Sequence, residues 1–507
     1  MTALQPAPEE TPGTALRHGR LGVIGIVFFV VAAAAPLLGM TGAAPVAIVL
    51  GNGAAVPGAY VAVGIVLLLF SVGYAAMSQK VTNAGAFFAY VGRGLGVTTG
   101  VGSAFVSLLA YFTIQLAVYG FFSAVLAGQM SAQFGIDLAW WVWALIAWAI
   151  VLGLSVLSVD VGAKVLGVLM SLELLALFVT ATAVFIKGGP EGIDLGASFA
   201  PGNIFVGGFA GPAGIALAFA FASFIGFEAT ALYGEEAKEP HKTVPRATYA
   251  AVGLITVFFA YMTLAIVTAL GASTVVDETV ARSTLDGTPL ADPAAVVFSI
   301  AAEYVGDWMP DVMSWLVISS AFAGLLAFQN SSARYFFAMG RAGVLPSALD
   351  RVNGRGAPVI ASATTSAISL LVILWFIIQG LDPILNMFYW FSALAVVAIV
   401  FVEILVSLAV IVYFYNHRGD ATLWTAVIAP ALSIVGLALG LWLLTSHFGL
   451  LAGTVAEDVD PTTQLWGLNT TGWILVLLPF VFFAIGLIVG EARRRKENVD
   501  AVADLVT

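Results

Sequence analysis

Two glutamates stand alone in long apolar stretches, where an ionisable side chain is costly. Glu228 lies in the segment Phe221-Ala-Ser-Phe-Ile-Gly-Phe-Glu-Ala-Thr230, and Glu173 lies in Met170-Ser-Leu-Glu-Leu-Leu-Ala176. A charged side chain at membrane depth costs at least ~2.5 kcal/mol, so by default it marks an ion or substrate pathway. A structural role is the alternative for both residues.

The composition places these stretches in a membrane. Of the 507 residues, 61% are hydrophobic and 9% are charged, and the mean hydropathy is +1.02. A soluble globular domain carries about 25% charged residues. The chain contains no cysteine, which excludes disulfides, thiolate metal sites and cysteine nucleophiles. The sequence therefore predicts a polytopic, all-α membrane protein.

Twelve apolar stretches are long enough to cross a bilayer as helices, which requires ~20 residues each. They are residues 21 to 49, 56 to 78, 97 to 127, 139 to 158, 163 to 186, 212 to 234, 247 to 270, 312 to 339, 358 to 379, 384 to 414, 421 to 446 and 471 to 490. We number them spans 1 to 12 in chain order.

The basic residues predict the orientation of these spans. With both termini in the cytoplasm, 17 of the 19 Lys and Arg residues fall on the inner side, and only Lys187 and Arg282 fall outside. This is a strong positive-inside bias. Residues 1–20 lack the features of a cleavable signal peptide. We expect residues 1–20 and 491–507 to be cytoplasmic tails, the first of them disordered, of a multi-pass protein in the inner (plasma) membrane of the cell.

Two spans carry helix-breaking residues in their apolar interior. Span 1 contains Pro36-Leu-Leu-Gly-Met-Thr-Gly-Ala-Ala-Pro45, and span 6 contains Gly226 after a Gly-rich segment that ends at Pro212. Proline removes a backbone hydrogen bond and glycine relaxes the backbone. Interrupted spans five apart are typical of an inverted repeat with a central site. The alternative is that Gly and Pro are simply common in membrane helices.

This pattern predicts a five-plus-five organisation. The two repeats cover residues 21–187 and 207–414 and form a core of spans 1 to 10, whereas spans 11 and 12, residues 421–490, lie outside the repeat.

Three segments resemble the amino acid-polyamine-organocation (APC) superfamily of secondary transporters. They are Ser78-Gln-Lys-Val-Thr-Asn-Ala-Gly-Ala-Phe-Phe-Ala-Tyr-Val-Gly-Arg-Gly-Leu-Gly96, then Phe224-Ile-Gly-Phe-Glu228 followed by Glu235-Glu-Ala-Lys-Glu-Pro-His-Lys-Thr-Val-Pro-Arg-Ala247, and Arg334-Tyr-Phe-Phe-Ala-Met-Gly-Arg-Ala-Gly-Val-Leu-Pro346. The resemblance covers residues 21 to 490. It implies the LeuT-like fold of that superfamily, a substrate bound midway at the unwound parts of spans 1 and 6, and alternating access.

One part of span 1 departs from that superfamily. Many members carry a Gly-x-Gly-Ile signature there, whereas this chain has Leu38-Gly-Met-Thr-Gly-Ala-Ala-Pro45. The break is retained, but the side chains that would contact a substrate differ.

The helix interruption favours an anionic group, because freed amides and the positive end of a half-helix suit a carboxylate. We therefore expect an amino acid substrate, held by residues of both broken spans. The residues expected around its carboxylate are Gly39, Met40, Thr41 and Gly42, and those expected near its ammonium are Ser223, Gly226 and Glu228.

Aromatic and amide side chains are expected to close the site. Tyr111, Gln115 and Tyr119 recur at four-residue spacing and therefore share one face of span 3. Phe224 of span 6 and Phe328 of span 8 fall near the expected midplane. The same spacing also fits ordinary packing.

In a transporter of this kind, Glu228 could balance the substrate ammonium or carry a proton, and Glu173 could be a fixed or a titrating charge. Related antiporters use the motif position of Glu228 in their pH response, and sodium-independent relatives carry a charge near the position of Glu173 in place of a bound sodium ion. Ser319 and Ser320 could instead complete a sodium site, although hydroxyls in membrane helices usually bond their own backbone. We favour protons over sodium.

The remaining polar residues of the spans have weaker predictions. We expect Glu403 of span 10 to pair with a basic residue such as Arg334. Gln329, Asn330 and Asn386 either line the pathway or bond between helices.

Several functional classes lack their sequence signatures. The chain has no Gly-x-x-x-x-Gly-Lys-[Ser/Thr] phosphate loop, and its four histidines form no His-x-x-x-His pair. We therefore expect no cofactor, metal, nucleic-acid partner or enzymatic activity. The predicted function is proton-coupled import of an amino acid. A polyamine or ethanolamine permease, an exchanger and a non-transporting nutrient sensor are the alternatives, and the oligomeric state stays open.

Overall fold

The computed structural model describes residues 21–81, 87–157, 159–234, 236–290, 292–354, 356–417 and 421–496. The described chain folds into helices joined by loops and short helical turns. The predicted tail 1–20 and most of the predicted tail 491–507 lie outside these ranges. So do Glu235 and residues 82–86, which belong to the first two superfamily-like segments.

Eleven of the described helices are long and apolar enough to cross a membrane. They are Val23–Leu50, Gly53–Ser78, Val97–Phe134, Met170–Lys187, Pro212–Tyr233, Pro240–Leu270, Trp308–Arg341, Val359–Gln379, Pro383–Asn416, Trp424–Ser446 and Thr470–Arg494. They correspond to predicted spans 1 to 3 and 5 to 12. The fourth predicted span is the shorter apolar helix Trp140–Leu157, whose length is within the range of about 17 to 25 residues that crosses a bilayer.

Span 1 is interrupted at Ala35, immediately before the first of its two prolines. The helix Val23–Ala34 ends there, and Ala35 has a left-handed backbone with φ of 41°. Pro36 begins the second half, because a proline at the first turn of a helix forfeits no intrahelical hydrogen bond. A wide π-helical turn at Gly39–Ala43 follows, before regular helix resumes at Ala44–Leu50.

Span 6 is interrupted at Gly226. The helix Pro212–Ser223 ends just before it, and a tighter 3-10 helix continues over Phe227–Tyr233. Gly226 has a φ of 112°, and a Cβ atom built on it would lie 2.8 Å from the Cβ of Ala33. Glycine is therefore required both by the backbone conformation and by the close approach of span 1. The two predicted interruptions are confirmed, and they lie side by side.

The bundle has two different ends. The described parts of the long connections at 188–211, 271–307 and 447–469 gather at one end, which we call the loop-rich face. The described parts of the connections at 79–96, 234–239 and 342–358 gather at the other end, which we call the compact face. At the compact face, the Leu21 amide donates to the Glu236 carbonyl at 3.0 Å, and the Lys238 amide donates to the Leu21 carbonyl at 2.9 Å. The start of span 1 is thereby tied to the exit from span 6.

Candidate substrate cavity and buried acids

A cavity of about 730 Å³ lies where the two interrupted spans meet. Its walls come from spans 1, 3, 6, 8 and 10, and its deep end lies at Ala33–Ala35, Ile225 and Phe328. It extends to residues 292–294 and 450–451 of the loop-rich face. The cavity is therefore open towards the loop-rich face and closed towards the compact face.

The cavity includes about half of the residues predicted for the site. Those that line it are Gly39, Thr41, Gly42, Ser223 and Phe328, together with Asn386. Those that do not line it are Met40, Tyr111, Gln115, Phe224, Gly226 and Glu228, all of which are buried. Gln329 and Asn330 also lie away from the cavity.

Glu173 caps the second half of span 1. Its Oε1 accepts a hydrogen bond of 2.6 Å from the Leu37 amide, and its side chain is buried. The Gly39 amide donates within the helix to the Ala35 carbonyl at 3.0 Å. The freed amide at the break is therefore that of Leu37, two residues before Gly39, and the Glu173 carboxylate already accepts its hydrogen bond. A carboxylate at a helix N-terminus is favoured by the helix dipole.

Glu228 caps the second interruption in the same manner. Its Oε2 accepts a 2.8 Å hydrogen bond from the Gly226 amide, and its Oε1 accepts a 2.9 Å hydrogen bond from the Tyr111 hydroxyl. The Tyr74 hydroxyl donates to the Glu228 carbonyl at 2.5 Å. The side chain is 1% exposed. Both conspicuous acids of the sequence therefore hold the backbone at a helix break.

The predicted polar face of span 3 meets other spans instead of the cavity. Gln115 donates to Oε1 of Gln329 at 2.6 Å, and Gln329 donates onward to the Ser362 carbonyl at 3.0 Å. The Tyr111 ring stacks on Tyr335 with ring centroids 5.4 Å apart. The Tyr119 hydroxyl has no hydrogen-bond partner in the described part of the chain. These side chains connect spans 3, 8 and 9.

The two serines considered for a sodium site have different surroundings. Ser319 donates to the Leu316 carbonyl of its own helix at 3.0 Å, as hydroxyls in membrane helices usually do. Ser320 is buried beside the Glu173 carboxyl. Over the described residues, no group of three His, Cys, Asp or Glu side chains is arranged to hold a metal ion.

The expected ion pair between Glu403 and Arg334 is wrong. Arg334 pairs with Glu236, which its Nε and Nη2 atoms reach at 2.9 and 2.5 Å, and its guanidinium lies 4.7 Å from the centre of the Tyr233 ring. The pair forms because span 8 carries Arg334 past the midplane to the exit from span 6. Neither carboxyl oxygen of Glu403 has a hydrogen-bond partner among the described residues, and its neighbours include Phe221.

Most of the cavity wall was not predicted. It consists of apolar helix faces, such as Ile114, Val118, Phe121 and Val125 of span 3 and Val396 of span 10. Their spacing of three and four residues is that of any helix face. The same spacing would occur on a face that packs against another helix or against lipid, so it carries no signal for a binding site.

A central cavity between two interrupted helices of a membrane-spanning bundle is the arrangement of a secondary transporter. The chain belongs to the amino acid permease family, whose model matches residues 21–495. This family is part of the APC superfamily, which the three sequence segments indicated. The family has the fold of that superfamily. Its members are transporters.

Three curated permeases are similar to parts of the chain. The histidine permease of Saccharomyces cerevisiae is 28% identical over 252 residues, which cover 48% of this chain and 40% of that protein. The branched-chain amino acid permease of Lactococcus lactis is 27% identical, over 32% and 33% of the two chains. The lysine-specific permease of the same organism is 27% identical, over 47% of both chains. Each alignment spans less than half of the relative's length.

Proposed function

We propose that this protein is a secondary active transporter that imports amino acids together with protons, with its loop-rich face outside the cell. The observation that carries the proposal is the cavity at the meeting point of two broken spans, each of which is capped by a buried glutamate. We also propose that both termini lie in the cytoplasm, in accordance with the distribution of basic residues.

The position of the two acids supports a proton-coupling role. Glu173 holds the Leu37 amide of span 1, and Glu228 holds the Gly226 amide of span 6. A hydrogen bond to an ionised acceptor is about twice as strong as one to a neutral acceptor. Proton binding at either acid therefore loosens a helix break, which couples the proton to the conformation of the two spans that line the cavity.

The cavity surface supports a binding mode for the backbone part of an amino acid. Thr41 and Ser223 are polar residues that line it at the two breaks, and a Cβ on Gly39 would lie 3.9 Å from the Ser223 Cβ. We propose that the substrate carboxylate binds beside Gly39, Thr41 and Gly42, and that the ammonium binds beside Ser223. Glu228 lies behind this surface, which favours the proton carrier over the counter-charge as its role.

The test is uptake into proteoliposomes that contain the purified protein. Initial rates for a panel of labelled amino acids and putrescine are measured with an inward proton gradient, with an inward sodium gradient and with neither. We expect amino acid uptake that only the proton gradient accelerates. If putrescine were the one substrate taken up, the protein would be an amine permease. If uptake required internal substrate and neither gradient, the protein would be an exchanger.

A further inference from the structure

The cavity contains almost no charge. Among the described residues that line it, Asp292 is the one acidic or basic side chain. Asp292 is exposed at the mouth, where its carboxylate accepts from the Ala295 amide at 3.3 Å. A charged substrate side chain in the deeper part of the cavity would therefore meet no opposite charge.

The two buried glutamates do not supply that missing charge. Neither of them lines the cavity. The Glu228 carboxylate is held by Gly226 and Tyr111, and the Glu173 carboxylate is held by Leu37. A buried ammonium or guanidinium without a partner is strongly disfavoured in a low-dielectric site.

The deep walls of the cavity are instead apolar on several helices. Ile114 and Val118 of span 3, Val317 and Ala321 of span 8, and Ile225 of span 6 line it. In the proposed binding mode, the polar groups at the helix breaks bind the carboxylate and the ammonium of the substrate. The apolar surface is therefore the part of the cavity that contacts the substrate side chain. The volume of about 730 Å³ lies inside the usual range of small-molecule pockets.

We propose that this cavity selects amino acids with large, uncharged, apolar side chains, either branched aliphatic or aromatic, and rejects those with cationic or anionic side chains. The inference rests on the proposed function, since it assigns the substrate class of the same site. The relatives are named for different classes of substrate, among them lysine and large neutral amino acids, so the choice between classes is made by the cavity and not by the relatives.

The unmodified protein in proteoliposomes provides the decisive test. Uptake is measured for labelled leucine, phenylalanine, alanine, lysine, arginine and glutamate, and each unlabelled amino acid is then used as a competitor. We expect leucine, isoleucine and phenylalanine to be transported and to compete, with an advantage over alanine of about tenfold or more. Lysine, arginine and glutamate should not compete.

Two results would have different meanings. Uptake of lysine, arginine or glutamate without competition by leucine would overturn this inference and leave amino acid transport intact. Failure to transport any amino acid would instead overturn the proposed function.

A space-filling variant tests the location of the side-chain site. Ala321 is fully buried and lines the cavity, whereas Ala250 of span 7 is exposed and does not. We expect Ala321→Leu to lower leucine and phenylalanine uptake about tenfold or more while alanine uptake remains, and Ala250→Leu to change neither. If a folded Ala321→Leu protein lost leucine, phenylalanine and alanine uptake to the same extent, the side-chain site would have to lie elsewhere.

A charge-introducing variant tests the basis of selectivity. Val118 lines the cavity wall from span 3. Val118→Asp should admit lysine, because it provides the counter-charge that the cavity lacks, whereas the uncharged variant Val118→Thr should not. Lysine uptake by Val118→Thr equal to that by Val118→Asp would contradict a charge-based selection.

Discussion

Glu173 and Glu228 each accept a hydrogen bond from an amide at a helix break, at 2.6 and 2.8 Å. The helix dipole stabilises a carboxylate at such a position, which explains how two acids are kept in apolar surroundings without basic partners. Their role is thus both structural and, as we propose, titratable. The hydrogen bonds that stabilise the two helix breaks are the same bonds that proton binding would weaken, so the structural role and the functional role do not exclude each other.

Glutamine at position 173 separates these two roles. Glu173→Gln retains a carbonyl oxygen that can accept from the Leu37 amide, but it cannot bind or release a proton. We expect proton-stimulated uptake to fall to the level seen without a gradient, while exchange of substrate at equal pH continues. The measurement is initial uptake in proteoliposomes at several external pH values.

Two further variants complete that experiment. Glu228→Gln removes the other titratable carboxyl and should also reduce the proton dependence. Glu173→Ala removes the hydrogen-bond acceptor itself, so it should lower the thermal stability of the purified protein as well. Full stimulation by protons in both glutamine variants would show that coupling resides elsewhere in the molecule.

Glu403 is a buried acid that lacks a hydrogen-bond partner in the described structure. An unsatisfied buried polar group costs about 1–3 kcal/mol, and methionine has a similar shape without that cost. We therefore expect Glu403→Met to raise the unfolding temperature of the detergent-solubilised protein. Glu236→Met, which removes the carboxylate that Arg334 contacts at 2.5 Å, should lower it. Loss of transport in a stable Glu403→Met protein would indicate a functional acid instead.

The exit from span 6 and the C-terminal half of span 8 together close the compact face. The ion pair between Arg334 and Glu236 is almost fully buried, with 2% and 5% of the side chains exposed. Tyr233 lies over the guanidinium and also stacks on Phe29 of span 1, with ring centroids 4.8 Å apart. Three spans are thereby joined at one point, which must separate for the cavity to open towards this face.

Removal of one charge should open the compact face. Removal of one partner of a buried ion pair costs about 3–5 kcal/mol. We expect Glu236→Gln to raise the rate at which a thiol reagent labels a cysteine at the buried position Ala229, by about tenfold or more. The chain has no native cysteine that would interfere.

An exposed pair at the same face provides the control. Lys242 and Glu239 lie 2.7 Å apart with 67% and 65% of their side chains exposed. Surface pairs contribute little to stability, so Glu239→Gln should leave the labelling of Ala229→Cys unchanged. An equal increase in both variants would argue against a specific closing role for Glu236.

Two loops of the loop-rich face are joined by hydrogen bonds to one carboxylate. Glu191 accepts from the Ser273 amide at 2.9 Å and also from the Ser273 hydroxyl. These hydrogen bonds lower the pKa of Glu191 below its ordinary value. A carboxyl with a lowered pKa stabilises the folded contact above its unfolded pKa, and that contribution is lost as the pH falls through the folded pKa.

We therefore expect the two loops to stay joined at neutral pH and to separate only when the pH falls below the ordinary pKa range of a glutamate. Spin labels on cysteines at the exposed positions Ile193 and Val276 would report the separation by electron paramagnetic resonance. Glu191→Gln should remove the pH dependence. A separation that grows as the pH rises would contradict this assignment.

Over the whole bundle, the cavity is open at one end and closed at the other. Ser314 and Ala333 both lie on span 8, but Ser314 is half-buried and lines the cavity, whereas Ala333 is fully buried and does not. An impermeant thiol reagent added outside intact cells should label Ser314→Cys much faster than Ala333→Cys, and substrate should protect the first. Labelling of Ser314→Cys only from the cytoplasmic side would reverse the proposed orientation.

Much of the architecture follows from local composition, because the bilayer acts on each segment directly. Hydrophobic length predicts where the chain crosses, and proline and glycine predict where spans 1 and 6 break. The sequence also identifies Glu173 and Glu228 as residues that need a special environment, since an isolated charge in such a segment is costly. None of these inferences requires knowledge of which helices are neighbours.

Contacts between distant segments determine the rest. The partner of Glu173 is the amide of Leu37, 136 residues away, and the partner of Arg334 is Glu236, 98 residues away, where the sequence suggested Glu403. A helix repeats every 3.6 residues whether its apolar face meets lipid, another helix or a cavity. The faces that line the cavity, and its lack of charge, are therefore properties of the packed bundle, because they arise only when five helices are brought around one space.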